Sequence, residues 1–114
     1  MNRIPKVEEA IKETVALILQ QELKDPRIGL VTVTRVQATA DLHHAVIHFS
    51  FLGQGDVAAI ESGLKSATPY VRRLVGERLR LRFTPELRFQ YDPSIAEGIR
   101  LQQLMNQAKP PATS

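Results

Sequence analysis

Between positions 65 and 88 the chain places seven basic side chains, Lys65, Arg72, Arg73, Arg78, Arg80, Arg82 and Arg88, against two acidic ones, Glu77 and Glu86. Six of the seven are Arg. A guanidinium presents a planar fork of donors that matches phosphate oxygens and can stack on an unpaired base, whereas a face kept only for solubility mixes Lys with Glu. The excess is local: residues 1–64 carry a net −2, residues 65–88 a net +5 and residues 89–114 none, in a chain of net charge +3. This pattern points to a polyanionic partner, nucleic acid in particular. Intramolecular ion pairing is the competing structural use of the same residues.

Other chemistry finds little support. His43, His44 and His48 lack a Cys or carboxylate to complete a metal-ligand set, and neighbours on a strand point to opposite faces, so no metal is expected. Gly53, Gln54 and Gly55 form a GxG without a third glycine and read as a turn. Asp25 and Arg27 are explained by chain reversal and capping. With no nucleophile–base set, no carboxylate pair in a pocket and no Walker sequence, an enzyme is not expected, nor a cofactor. The 114 residues, 43% of them hydrophobic and none of them Cys, suit one domain whose core needs no staple. No apolar run spans a bilayer and residues 1–12 lack the apolar stretch of a secretory signal, so a soluble, cytoplasmic protein is expected.

The elements that must position the arginines follow from periodicity. Ile4, Val7, Ile11, Val15, Ile18 and Leu19 recur three or four apart and predict an amphipathic helix, with Pro5 in its first turn and Glu8, Glu9 and Lys12 pairing on its wet face. Alternation from Leu30 to Val36 and from His44 to Phe51 predicts two strands joined as an antiparallel hairpin. Asp56 is an N-cap for a helix carrying Val57, Ile60 and Leu64. Pro69 lacks a donor and crowds the carbonyl of Lys65, which predicts a break at Ala67, Thr68 and Pro69, with Thr68 capping a second helix. The amide groups at that second start, one turn before Arg72 and Arg73, would favour a phosphate. Leu87, Phe89 and Tyr91 predict a third strand, residues 95–105 a last helix, and residues 107–114 a disordered tail. The result is an α+β domain over residues 1–106, with helices on one face of a three-stranded sheet. The other face, with Arg35, Val46, His48, Arg88 and Gln90, is expected to be solvated or to cover a ligand.

Specific residues carry a family resemblance. The run from Glu22 through Lys24, Asp25, Pro26, Arg27, Ile28 and Gly29, then Val31 to Thr34, Val36, Asp41, Leu42 and Ala45, closely resembles the ribosome-binding factor A family of bacterial ribosome-assembly proteins. So do Tyr70, Val71, Arg72 and Leu74, then Leu79 to Arg82, Pro85, Glu86, Leu87 and Phe89, then Asp92, Ser94, Glu97 and Gly98. The resemblance covers about residues 3–105 and implies a type II KH-like domain of order α-β-β-α-kink-α-β-α. It also implies a non-enzymatic, cold-shock-associated RNA-binding factor of the immature 30S subunit, assisting late 16S rRNA maturation, including processing of the precursor's 5′ end. A ribosome-associated GTPase that releases it is an implied partner. The family marks its kink Ala-any-Gly, and this chain departs from that with Ala67, Thr68 and Pro69, so a stiffer kink is expected.

The expected roles are phosphate contacts from Lys65, Arg72, Arg73, Arg78 and Arg80 on one positive surface, with Arg3 and Lys6 as lesser contributors and Arg82 and Arg88 turned by strand pairing. As exposed charges these residues should add little to stability. A monomer is expected. The alternative is a small α+β module that dimerises or binds a metabolite and has no nucleic-acid role.

Overall fold

The computed structural model describes residues 3–23, 28, 31–51, 56–93 and 105. Its elements are α1 (Ile4–Gln21), β1 (Val31–Ala38), β2 (His44–Phe51), α2 (Val57–Leu79) and β3 (Glu86–Tyr91). The last helix expected over residues 95–105, Met105 apart, and the tail at 107–114 lie outside the described residues, as do the Asp25–Arg27 turn and the GxG loop.

The sheet order is β1-β2-β3. β1 and β2 pair antiparallel from Val31 opposite Phe51 to Ala38 opposite Ala45, and β3 joins β2 in parallel, from Glu86 opposite His44 to Tyr91 opposite Phe49. Parallel pairing needs a crossover, which α2 supplies. The register of β1 slips between Val33 and Arg35. One extra residue there sends Val33 and Val36 to the core while Arg35 stays exposed.

Both helices pack on the same face of the sheet. Ile11, Val15 and Ile18 of α1 and Ile60, Leu64, Val71 and Val75 of α2 close over Val31, Val33, Val36, Ala45, Ile47, Phe49 and Leu87. This follows from 3.6-residue periodicity meeting two-residue alternation. Asp56 caps α2 as its type predicts, its Oδ1 accepting from the Ala58 amide at 3.0 Å. Glu8 departs from the expected pairing along α1. Its Oε2 accepts from the Ala38 amide at 2.7 Å, tying the helix to the end of β1.

The expected break at Pro69 is absent, because α2 is one hydrogen-bonded helix with the proline inside it. Thr68 does not cap a new helix. Its Oγ1 donates to the Leu64 carbonyl at 2.7 Å, one turn back, a bond available only to a residue already in the helix. Proline thus removes one donor while helix on both sides, anchored by buried Leu64 and Val71, carries the chain through. Without a second helix start, the phosphate site expected before Arg72 and Arg73 has no free amides to form it.

The outer face is less open than its composition suggests. His48 and Ser50 on the central strand are buried. The Thr34 hydroxyl donates to Asp92 Oδ2 at 3.2 Å across that strand, the Asp92 amide donates to the Phe49 carbonyl at 2.7 Å, and His48 Nε2 pairs with Gln37 Oε1 at 2.8 Å. Burial, aided by the Arg35 charge, lowers the His48 pKa from its ordinary 6.5, against a smaller opposing effect of Asp92. The fold therefore favours neutral imidazole while the unfolded chain takes up the proton more readily. Stability from this site is complete above about pH 6.5 and is lost as pH falls through the lower folded value. Between pH 6.5 and about 5, above the main carboxylate range, thermal melting of the protein is expected to fall more steeply than that of H48Q. Parallel pH curves would assign the loss to other groups.

Candidate nucleic-acid interface

The cationic residues of α2 fall into two groups. At about 100° per residue, Lys65 and Arg72 lie within roughly 20° of each other on α2, while Arg78 lies about 140° from Lys65. Lys65 shares an open cleft of about 610 Å³ with Glu61, Thr68 and Pro69 of α2 and Leu87, Arg88 and Phe89 of β3. Arg88, which strand pairing was expected to turn elsewhere, lines the same cleft as Lys65. Arg78 instead reaches α1, where its Nη2 pairs with Glu22 Oε1. Glu22 Oε2 also accepts from the Tyr70 hydroxyl at 3.3 Å, and the Arg73 guanidinium lies over the Tyr70 ring, 5.4 Å from its centre. The single positive surface expected from the sequence is divided.

Arg72 is committed within the fold. Its Nη2 donates to the Thr84 carbonyl at 2.8 Å and its Nε to the Pro85 carbonyl at 3.1 Å, and Nη2 lies 3.6 Å from Glu86 Oε1. The fork that suits phosphate here fixes the segment between α2 and β3. That segment starts at Arg80, which ends α2 in the left-handed region (φ 51°) with its amide donating to the Gly76 carbonyl. Gly76 lets it close back. A Cβ there would sit 2.4 Å from Thr84 Oγ1. The expectation that Arg72 is a dispensable exposed charge is corrected by these bonds.

Arg80 and Arg82 are exposed and have no carboxylate or hydrogen-bond acceptor on their guanidinium groups among the described residues. Arg82 lines a hollow of about 220 Å³ with Leu81, Phe83, Pro85, Leu42 and Val7. Val7 brings the start of α1 to this loop, and Arg3 and Lys6, both exposed, flank it one turn and one residue away. Arg3, Lys6, Lys65, Arg80, Arg82 and Arg88 are thus exposed with no side-chain partner among the described residues, Arg82 at a hollow shared with the start of α1 and Lys65 and Arg88 at the α2–β3 cleft. Sequence periodicity missed Phe83 as a surface residue. It is half exposed and sits edge-on to His43, with ring centres 4.6 Å apart at 75°. Its place between Arg82 and the Thr84-Pro85 turn was the available signal.

Among the described residues no group of three His, Asp or Glu is arranged to hold a metal ion, and no helix is long and apolar enough to cross a membrane. His43 and His44 are exposed at the hairpin turn, apart from buried His48.

The family model of ribosome-binding factor A matches residues 3–105, across every described element. The chain belongs to the ribosome-binding factor A family. The crystal structure of ribosome-binding factor A from Thermus thermophilus superposes with a TM-score of 0.71 at 24% identity, over 77% of this chain and 94% of that one. A homology model of the Thermus thermophilus factor, fitted into a cryo-EM map of a 30S complex, aligns with a TM-score of 0.60 at 23% identity, over 81% and 93% of the two chains. The solution structure of a Thermotoga maritima protein described as a putative ribosome binding factor A aligns at 0.55 and 26% identity, over 76% and 80%. The α+β arrangement of ribosome-binding factor A is thus present here, consistent with the expected KH-like fold.

Proposed function

We propose that this chain binds the immature 30S subunit and assists late 16S rRNA maturation, including processing of the precursor's 5′ end, as a non-enzymatic factor in the cytoplasm. The observation that carries this reading is the set of exposed cations left without a side-chain partner at the start of α1, between α2 and β3 and at the α2–β3 cleft, in a chain of this family. The Thermus thermophilus relative, placed in a 30S complex, supports the choice of partner. Lys65, Arg80, Arg82 and Arg88 would meet phosphates, with Arg3 and Lys6 as lesser contributors. Arg73, stacked on Tyr70, is a secondary contact, and Arg72 and Arg78 act first within the fold. The protein would bind as a monomer and leave with the help of a ribosome-associated GTPase.

Docking of this kind is electrostatic and led by shape, since double-stranded RNA offers side chains mainly phosphates and 2′-hydroxyls. Co-sedimentation tests it. The protein is expected to pellet with immature 30S subunits in preference to mature ones. About four phosphate contacts give a log–log salt slope near −3 to −4. Binding confined to mature subunits, or unaffected by salt, would overturn the assembly reading.

A further inference from the structure

Phe83 keeps a half-exposed ring on the segment that carries the exposed Arg80 and Arg82, and it shares a hollow with Arg82. Both rings of the Phe83–His43 pair are held in position by the backbone around them. The Glu86 amide donates to the His43 carbonyl at 2.8 Å, and the His43 amide donates to Asp41 Oδ1 at 3.0 Å. On the other side, Arg72 holds the Thr84 and Pro85 carbonyls directly after Phe83, and Pro85 is fully buried. The nearby carboxylate, Asp41, is occupied by the Thr39 hydroxyl at 2.7 Å as well as by the His43 amide, and these bonds hold its pKa below 3.8. Arg82, next to Phe83 in the chain, and Arg80, three residues before it, are left as uncommitted charges on this segment.

We propose that the Phe83 ring forms a stacking platform for one unpaired base of the bound RNA, with His43, edge-on to it, fixing the ring in place and Arg80 and Arg82 on the phosphates flanking that base. The inference rests on the RNA-binding reading above and adds a contact that electrostatics alone does not supply. An aromatic ring accepts the π-face of any base, and a pre-positioned pair avoids the ordering cost that a mobile loop would incur on binding. The hollow beside the rings, walled by Val7, Leu42 and Leu81, gives the base an apolar edge to rest against.

The test uses the full chain and immature 30S subunits, with binding measured across a salt series. F83L keeps an apolar side chain over the hollow and should leave melting nearly unchanged. It is expected to weaken binding by about 10-fold or more, the loss of one stacked base, without altering the salt slope. F83Y, which retains the ring, should bind within about twofold of the unaltered protein. R80A and R82A should each lower the magnitude of the slope by about 0.7 to 0.9. Should F83L lower melting, H43A removes the other ring at an exposed turn and is expected to cost about threefold or more. Binding by F83L and H43A equal to that of the unaltered protein, or equal losses in F83L and F83Y, would overturn the platform alone. Failure of the unaltered protein to bind subunits at all would overturn the RNA-binding reading and the platform with it.

Discussion

R72A is expected to lower the melting temperature by roughly 6–15 °C, the largest stability loss among the cationic residues. The ion pair with Glu86 is not the reason. At 3.6 Å, with side chains 40% and 66% exposed, it adds little. The effect comes from the two carbonyls, Thr84 and Pro85, which lose a charged donor in a part-buried setting. A hydrogen bond to a charged group is worth about 1.5–3 kcal/mol. Solvent access to Arg72 and the shared geometry of the two bonds reduce their joint value to about 1.5–2 kcal/mol, and each kcal/mol moves the midpoint of a domain of about this size by about 4–8 °C. R72K should restore little, because an ammonium cannot span both carbonyls as a planar fork does. R73A, which loses only a stacking contact on an exposed ring, should melt within about 3 °C of the unaltered protein. A drop of a degree or less in R72A would show that the loop is held by the burial of Pro85 alone.

How far the sequence predicts this molecule depends on how local each cause is. The helix over Ile4–Gln21, the strand limits of His44–Phe51 and the Asp56 cap rest on periodicity or on a side chain two residues from its partner, and they appear as expected. Pro69 was misjudged because its penalty is local while its compensation is not: Leu64, five residues before it, and Val71, two after it, are buried in the core and carry the helix through. The outcome for Arg72, Arg78 and Glu8 depends on partners 12 to 56 residues distant. Nothing in composition distinguishes an arginine that will find a carbonyl or a carboxylate from one that will find only water. The same limit applied to Phe83, whose partner His43 lies 40 residues earlier in the chain, just before β2.

This sorting of committed from uncommitted cations leads to the second large effect. Replacing Lys65, Arg80, Arg82 and Arg88 together by Ala is expected to weaken binding to immature 30S subunits by roughly two to three orders of magnitude, from about 1 kcal/mol per charge contact at 4 Å in water. The log–log salt slope should fall by about 3, nearly all of its starting value, because each phosphate contact contributes about 0.7 to 0.9. Melting should change little, since none of the four guanidinium or ammonium groups has a partner among the described residues. R78A is the control. It removes the same formal charge as R88A, but its guanidinium is already paired with Glu22, so it should change the slope by far less than one contact. Were R78A and R88A to weaken binding equally, overall charge rather than the exposed, unpartnered cations would be attracting the RNA. If the fourfold variant bound as well as the unaltered protein, the contact surface would have to lie elsewhere on the fold.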